Sequence, residues 1–243
     1  MSKPNIFFKI SRRIAWPLFD FILNIKVEGR KNIPSKGRYI IISNHLNWSD
    51  PFYIYIIFPP APRIIFVAEN EGIYDTPIKR KFIDLMGRPI IPINRDKVIS
   101  RGRGFKKMYE VVESGDILAV FPEGRLGHEE GKLFPFHVGV FRLAKKLNVP
   151  ILPVTISGSK KLSFRNPVHI RIGKLTYCQQ EESGRDYARR MALNMKEQLP
   201  DFPGEGPFPN CAKWLTGLAQ GEIREFNGKN TLIIEKDDKN SRK

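Results

Sequence analysis

With 243 residues, 41% hydrophobic and 11% aromatic, the chain is suited to one sizeable α/β domain with additions at its ends, and a disordered chain is excluded. Its 41 Lys and Arg against 25 Asp and Glu leave a net charge of +16, which implies an anionic partner such as nucleic acid, an acidic membrane surface or a phosphorylated substrate. The two cysteines, Cys178 and Cys211, form neither a disulfide framework nor a metal-ligand spacing and fit a reducing, cytosolic compartment.

Residues 1–24 mix large apolar groups (Phe7, Phe8, Trp16, Phe19, Phe21) with Lys9, Arg12 and Arg13. Pro17 divides the segment into two short helical pieces. Such pieces suit a position in the headgroup layer of a bilayer, with the cations on anionic lipid; the competing expectation is a helix packed on the domain's own core. No stretch reaches the roughly 18–20 uninterrupted apolar residues of a membrane span, and the N-terminus lacks a cleavable-signal pattern. The expectation is therefore a protein that does not cross the membrane.

The domain itself is expected over residues 25–200. Ile25–Gly29 reads as a short strand and Ile40–Ile42 as a buried one. Pro51 to about Phe58 is a helix stopped by Pro59 and Pro60. Arg63–Ala68 is a strand. Pro77–Met86 is a helix with Thr76 as its cap, and Gly87 leads from it into Ile90–Arg95. Helical periodicity covers 97–113, with Phe105, Met108, Val111 and Val112 on one side. Strand Ile117–Phe121 follows, then a glycine- and charge-rich loop to Phe136 and a helix over Gly139–Leu147. Strands Ile151–Ile156 and Val168–Ile172 and a helix over 184–199 complete the domain. Strands alternating with helices point to an α/β sandwich. Residues 201–243 form a C-terminal extension, with a short surface helix at Ala212–Ala219 and a disordered tail from Lys236.

Several familiar devices are missing from this sequence. There is no Gly-x-Ser-x-Gly elbow, no dinucleotide fingerprint and no Walker loop, and no cluster of His, Cys and carboxylates at metal spacing. What remains lies at strand ends. His45 and Asp50, with four residues between them, follow the strand Ile40–Ile42. An imidazole that takes a proton and a carboxylate that orients it are the minimum for general-base chemistry. Asp50 before Pro51 is equally suited to capping a helix, and His45 to being an ordinary loop histidine. Phe121-Pro122-Glu123-Gly124-Arg125 follows a second buried strand, where a carboxylate and a guanidinium can face a ligand; arginine suits bidentate contact with phosphate. Arg95 at a third strand end is another phosphate candidate.

Together and in this order, these residues resemble the 1-acylglycerol-3-phosphate acyltransferases and related glycerolipid acyltransferases. Asn44-His45 to Asp50 matches the family's Asn-His-x4-Asp motif. Ile93-Asn94-Arg95, closing Gly87–Arg95, is similar to the second motif, Phe121–Arg125 to Phe-Pro-Glu-Gly-Thr/Arg, and Val149–Val154 to a fourth, proline-bearing strand. The family often has Phe-Lys-x-Gly after its third motif, where this chain reads Phe136-His137-Val138-Gly139. The likeness covers about residues 25–175.

The resemblance implies a single α/β domain of the glycerol-3-phosphate acyltransferase type and transfer of a fatty acyl group from a thioester to the free hydroxyl of 1-acylglycerol 3-phosphate. His45 would be the base and Asp50 its orienting partner. Arg95, Glu123, Gly124 and Arg125 would bind the acceptor, and Pro153 would belong to the acyl-donor or acyl-chain region. No metal or prosthetic group is implied; acyl-coenzyme A or acyl-acyl carrier protein is the co-substrate. The expected partners are an anionic membrane surface and a lysophospholipid rather than nucleic acid, with the protein on the cytoplasmic side of the membrane. Another lysolipid, glycerol 3-phosphate, or a non-catalytic lipid-binding role are the competing readings.

Overall fold

Among the described residues seven short strands pair into one sheet. They are β1 (Leu23–Glu28), β2 (Ile40–Ser43), β3 (Ile64–Glu69), β4 (Ile90–Ile93), β5 (Ile117–Val120), β6 (Ile151–Ser157) and β7 (Asn166–Ile172), in the spatial order β1-β7-β6-β2-β5-β3-β4. The computed structural model describes residues 21–69, 89–93, 98–127, 129–161 and 163–208, with Pro17, Arg80 and Ile83. Most of the helical segment expected over 1–24, the helix over 212–219, most of Pro77–Met86, and Arg95 lie outside the described residues; at its described end Leu23 and Asn24 belong to β1, paired with Asn166 and Pro167, rather than to a helix.

The five strands from β6 across to β4 are mutually parallel, whereas β7 pairs antiparallel with β6 and parallel with β1. Among the described residues three α-helices lie between strands, α1 (Asp50–Ile57), α2 (Val98–Glu113) and α3 (Gly139–Leu147), and a further one, α4 (Gly184–Gln198), follows β7. Because side chains alternate along a strand, neighbouring residues of β2 serve opposite faces. Ile41 joins α1 in one core layer, with Tyr53, Phe58, Phe66 and Leu152. Ile40 and Ile42 join the other, with Met108 of α2, Phe141 of α3 and Met191 of α4. Helices on both faces explain why β2 and β6 are buried along their whole length and why they read as continuous apolar runs rather than alternating ones.

The connections place the site. From β2 the chain passes through α1 on one face and skips over β5 to reach β3. From β5 it passes through α3 on the other face and skips over β2 to reach β6. The connections thus diverge between the adjacent strands β2 and β5, and the carboxyl ends at such a switch point are the location favoured for ligands in α/β sheets. His45 follows β2 and Glu123 follows β5.

Candidate active site

Asn44 extends the sheet by one step after β2 ends. Its side-chain Nδ2 donates to the Ile156 carbonyl at 2.8 Å, and its Oδ1 accepts from the Ile156 N–H at 2.8 Å. This pair imitates a backbone ladder and fixes where the chain leaves the sheet. His45 is therefore projected from a defined point. Its ring stacks on Phe121 with centroids 4.1 Å apart and planes at 21°, and its Nδ1 lies 3.0 Å from Asp50 Oδ2. With Nδ1–H donated to the carboxylate, Nε2 is the nitrogen able to take a proton.

Asp50 is fully buried and is the first residue of α1. Of the two roles open to it in sequence, the structure favours orientation over capping. Oδ2 turns back into the loop and accepts the N–H groups of Leu46 at 2.6 Å and Asn47 at 2.7 Å as well as the His45 ring, and Ser49 occupies the cap position. The positive end of the helix dipole and two backbone donors suit a carboxylate at this position.

Glu123 is 1% exposed. Where the sequence suggests a carboxylate facing a ligand, the structure shows one held by backbone: Oε1 accepts the His45 N–H at 3.0 Å and Oε2 the Phe134 N–H at 2.8 Å. Burial pushes its pKa up to about 8, assisted by the charge of Asp50, while the two backbone donors and Arg125 pull the other way. Gly124 turns the chain at φ +70°, a conformation that favours glycine, so that Arg125 follows with its guanidinium 4.0 Å from the Phe134 ring centroid. His137, which stands where the resembled family carries lysine, donates its backbone N–H to the Pro122 carbonyl at 2.8 Å.

His45, Asp50, Glu123, Gly124 and Arg125 are thus brought together at the carboxyl ends of β2 and β5, with Asp50 and Glu123 buried beneath the site. Pro153 lies apart from them, inside β6 in register with Ile42, its carbonyl accepting the Gly173 N–H at 2.9 Å. Sequence reading misses Phe121 as the platform under the imidazole, although it is the first residue of the quoted motif. It also misses Gly127, whose N–H donates to the His45 carbonyl at 2.5 Å, and Phe134.

A raised carboxyl pKa has a consequence for stability. The fold holds the Glu123 proton more tightly than the unfolded chain, so this contribution is fully present below about 4.5, the ordinary value, and is lost as pH rises towards about 8. Glu123→Gln is expected to flatten the fall in Tm between pH 5 and pH 8, as read by thermal denaturation. A curve for the variant parallel to that of the parent protein would remove Glu123 as its source.

A family model described as Acyltransferase matches residues 24–157, more than half of the chain. A chloroplastic 1-acyl-sn-glycerol-3-phosphate acyltransferase of Brassica napus is 30% identical over 137 residues, which cover 56% of this chain and 38% of that protein. The 1-acyl-sn-glycerol-3-phosphate acyltransferase of Saccharomyces cerevisiae is 30% identical over 143 residues, 58% of this chain and 45% of that one. That of Borreliella burgdorferi is 29% identical over 144 residues, 59% and 55% respectively. The chain therefore spans about half or less of the length of these curated relatives. The crystal structure of a 1-acyl-sn-glycerophosphate acyltransferase from Thermotoga maritima shares the fold, with a TM-score of 0.62 at 21% identity over 82% of this chain and 81% of that chain.

Proposed function

The chain belongs to the acyltransferase family, and on that premise we propose that it moves a fatty acyl group from an acyl thioester to the free hydroxyl of 1-acylglycerol 3-phosphate, giving phosphatidic acid. The observation that carries this reading is the His45–Asp50 pair, 3.0 Å apart at the switch point between β2 and β5. Relatives named for that reaction support the choice of acceptor.

A hydroxyl is a weak nucleophile until its proton has somewhere to go. His45 Nε2 takes that proton as the acceptor oxygen attacks the thioester carbonyl, and the charge of Asp50 stabilises the imidazolium that forms. Collapse of the tetrahedral adduct expels the thiolate, which recovers the proton from His45. The substrate itself supplies the hydroxyl, so no acyl-enzyme is formed. Arg125, steadied on Phe134, and Arg95 are the residues proposed to bind the acceptor phosphate. Coenzyme A or acyl carrier protein carries the acyl group as a co-substrate.

A lipid acceptor requires the site to reach a bilayer. Among the described residues no helix is long and apolar enough to cross a membrane; the proposal is peripheral or monotopic attachment at the cytoplasmic face. It is supported by an aromatic cluster at the same edge of the sheet. β7 runs opposite to β6, and its start, beside the carboxyl end of β6, is preceded by Phe164 and Arg165. Phe164 packs against Phe21 and Phe208 with ring centroids 5.8 Å apart in each pair, and Phe21 and Phe208 are 62% and 52% exposed. Exposed aromatic rings beside cations suit the interface of an anionic membrane. Replacing Phe21 and Phe208 together by Ser is expected to weaken sedimentation with phosphatidylglycerol vesicles about tenfold, since each ring would contribute a fraction of the ~1.5–3 kcal/mol of a fully buried side chain. Unchanged vesicle binding would assign the cluster to packing within the chain.

The test of the reaction is an assay of the purified protein with acyl-coenzyme A and acyl-acyl carrier protein against a panel of acceptors. Transfer to 1-acylglycerol 3-phosphate ahead of glycerol 3-phosphate and other lysolipids is expected. Tight, salt-sensitive vesicle binding with no transfer to any acceptor would overturn the enzymatic reading.

A further inference from the structure

The segment between β5 and α3 carries Glu123 and Arg125 and touches the backbone of His45 twice, through Glu123 Oε1 and the Gly127 N–H. Two residues outside every motif quoted above tie it down. Glu130 Oε1 accepts the Lys160 N–H at 2.9 Å, and its Oε2 accepts the Gly158 N–H at 3.0 Å and the Ser157 hydroxyl at 3.5 Å. One carboxylate thus gathers three donors from the turn that ends β6. The turn answers in the other direction, since Lys160 Nζ donates to the Gly127 carbonyl at 2.6 Å.

Gly127 is the point where these contacts meet the catalytic pair. Its carbonyl is held by Lys160, and its N–H is given to the His45 carbonyl at 2.5 Å. The approach is close enough that a Cβ at Gly127 would lie 3.0 Å from Leu46 Cδ2 and 3.3 Å from the His45 carbonyl oxygen. The turn that bears Lys160 is itself fixed, since Gly158 sits at φ +85° with no space for a side chain against the Pro167 carbonyl. A rigid turn, a bidentate carboxylate and a returning ammonium form a two-way clasp across a sequence separation of about thirty residues.

We propose that Glu130 and Lys160 are positioning residues for acyl transfer: they clasp the β5–α3 segment to the end of β6 and so hold Gly127 against His45, fixing the backbone from which the base projects. The effect is transmitted through the loop, so neither residue needs to touch substrate. A misplacement of the base by about 1 Å is enough to cost on the order of 10²-fold. The proposal rests on the function assigned to His45 above.

The experiment compares the parent protein with Glu130→Ala, Glu130→Gln and Lys160→Met by steady-state acyl transfer and by amide hydrogen exchange. Glu130→Ala and Lys160→Met are expected to lower kcat tenfold or more while the KM for acyl donor stays within twofold. Glu130→Gln, which keeps an acceptor for one of the N–H donors, is expected to recover part of the loss. Exchange should quicken in residues 123–134 and at Gly158 and Lys160, with β2, β5 and β6 unchanged. If the parent transfers acyl groups and the folded variants keep kcat within twofold, the clasp has no positioning role. A loss of kcat accompanied by faster exchange throughout the sheet would likewise overturn it in favour of general destabilisation. If the parent transfers to no acceptor, the function proposed above fails instead. The clasp is then judged on exchange alone, with local acceleration supporting it and an unchanged pattern overturning it.

Discussion

His45→Ala is expected to lower kcat for acyl transfer by about 10³-fold, within the 10²–10⁴ that a positioned general base supplies, while the protein remains folded and bound to lipid. The fold is expected to survive because what His45 gives it is mostly main chain. The N–H to Glu123 and the carbonyl to Gly127 persist in any residue. What alanine removes is the ring, its stacking on Phe121 and its bond to Asp50. Stacking of this kind is worth about 0.5–1.5 kcal/mol, a modest loss against the ~5–15 kcal/mol of a typical domain. The measurement is single-turnover transfer from acyl-coenzyme A, with circular dichroism to verify the fold and added imidazole to rescue the missing base. Turnover within tenfold of the parent protein would reject His45 as the base, because positioning alone would then account for the rate.

The pairing of His45 with Asp50 was legible in the sequence, and the reason is local. His45 and Asp50 are five positions apart, so a strand end followed by one turn is enough to bring them near each other. The strands were legible for a related reason. Ile40–Ile42 and Ile151–Ile156 are buried on both faces and are apolar except at Thr155, whereas the order β6-β2-β5-β3 in which they pair leaves no local trace. Glu123 shows where local reading stops. Its neighbours Pro122 and Gly124 predict an exposed turn, and only the approach of His45 and Phe134 from elsewhere in the chain turns that carboxylate into a buried acceptor. Asn44 is similar: as a residue of the family motif it looks like part of the chemistry, yet its amide is engaged with Ile156, 112 positions away. Glu130 and Lys160 carry no signature at all. A charged residue in a polar loop has the same appearance whether it is solvated or clasped to a strand end.

Asp50 offers the sharper separation of charge from geometry, because a single oxygen accepts all three of its bonds. Asp50→Ala is expected to be damaging in two ways. It leaves the Leu46 and Asn47 N–H groups without their acceptor, at about 1–3 kcal/mol for each buried donor left unsatisfied, and it frees the His45 ring. Activity should fall to the level of His45→Ala, with a large drop in Tm. Asp50→Asn is expected to behave differently. The two backbone donors select which end of the amide points at them, so the amide oxygen takes the Oδ2 position and still accepts His45 Nδ1–H. In serine-hydrolase triads the corresponding replacement costs about 10⁴ in kcat by leaving the ring in the wrong tautomer. Here the tautomer is retained and only the negative charge beside the imidazolium is lost, so a smaller fall of about 10²-fold is expected. The amide nitrogen would occupy the place of Oδ1, which is buried with no hydrogen-bond partner among the described residues, so Tm should drop, though less than in the alanine variant. Measuring kcat and Tm for both variants separates the contributions. Parental turnover in Asp50→Asn would show that the charge does nothing for the imidazolium, and equal thermal damage in the two variants would show that the amide oxygen does not reach the Leu46 and Asn47 donors.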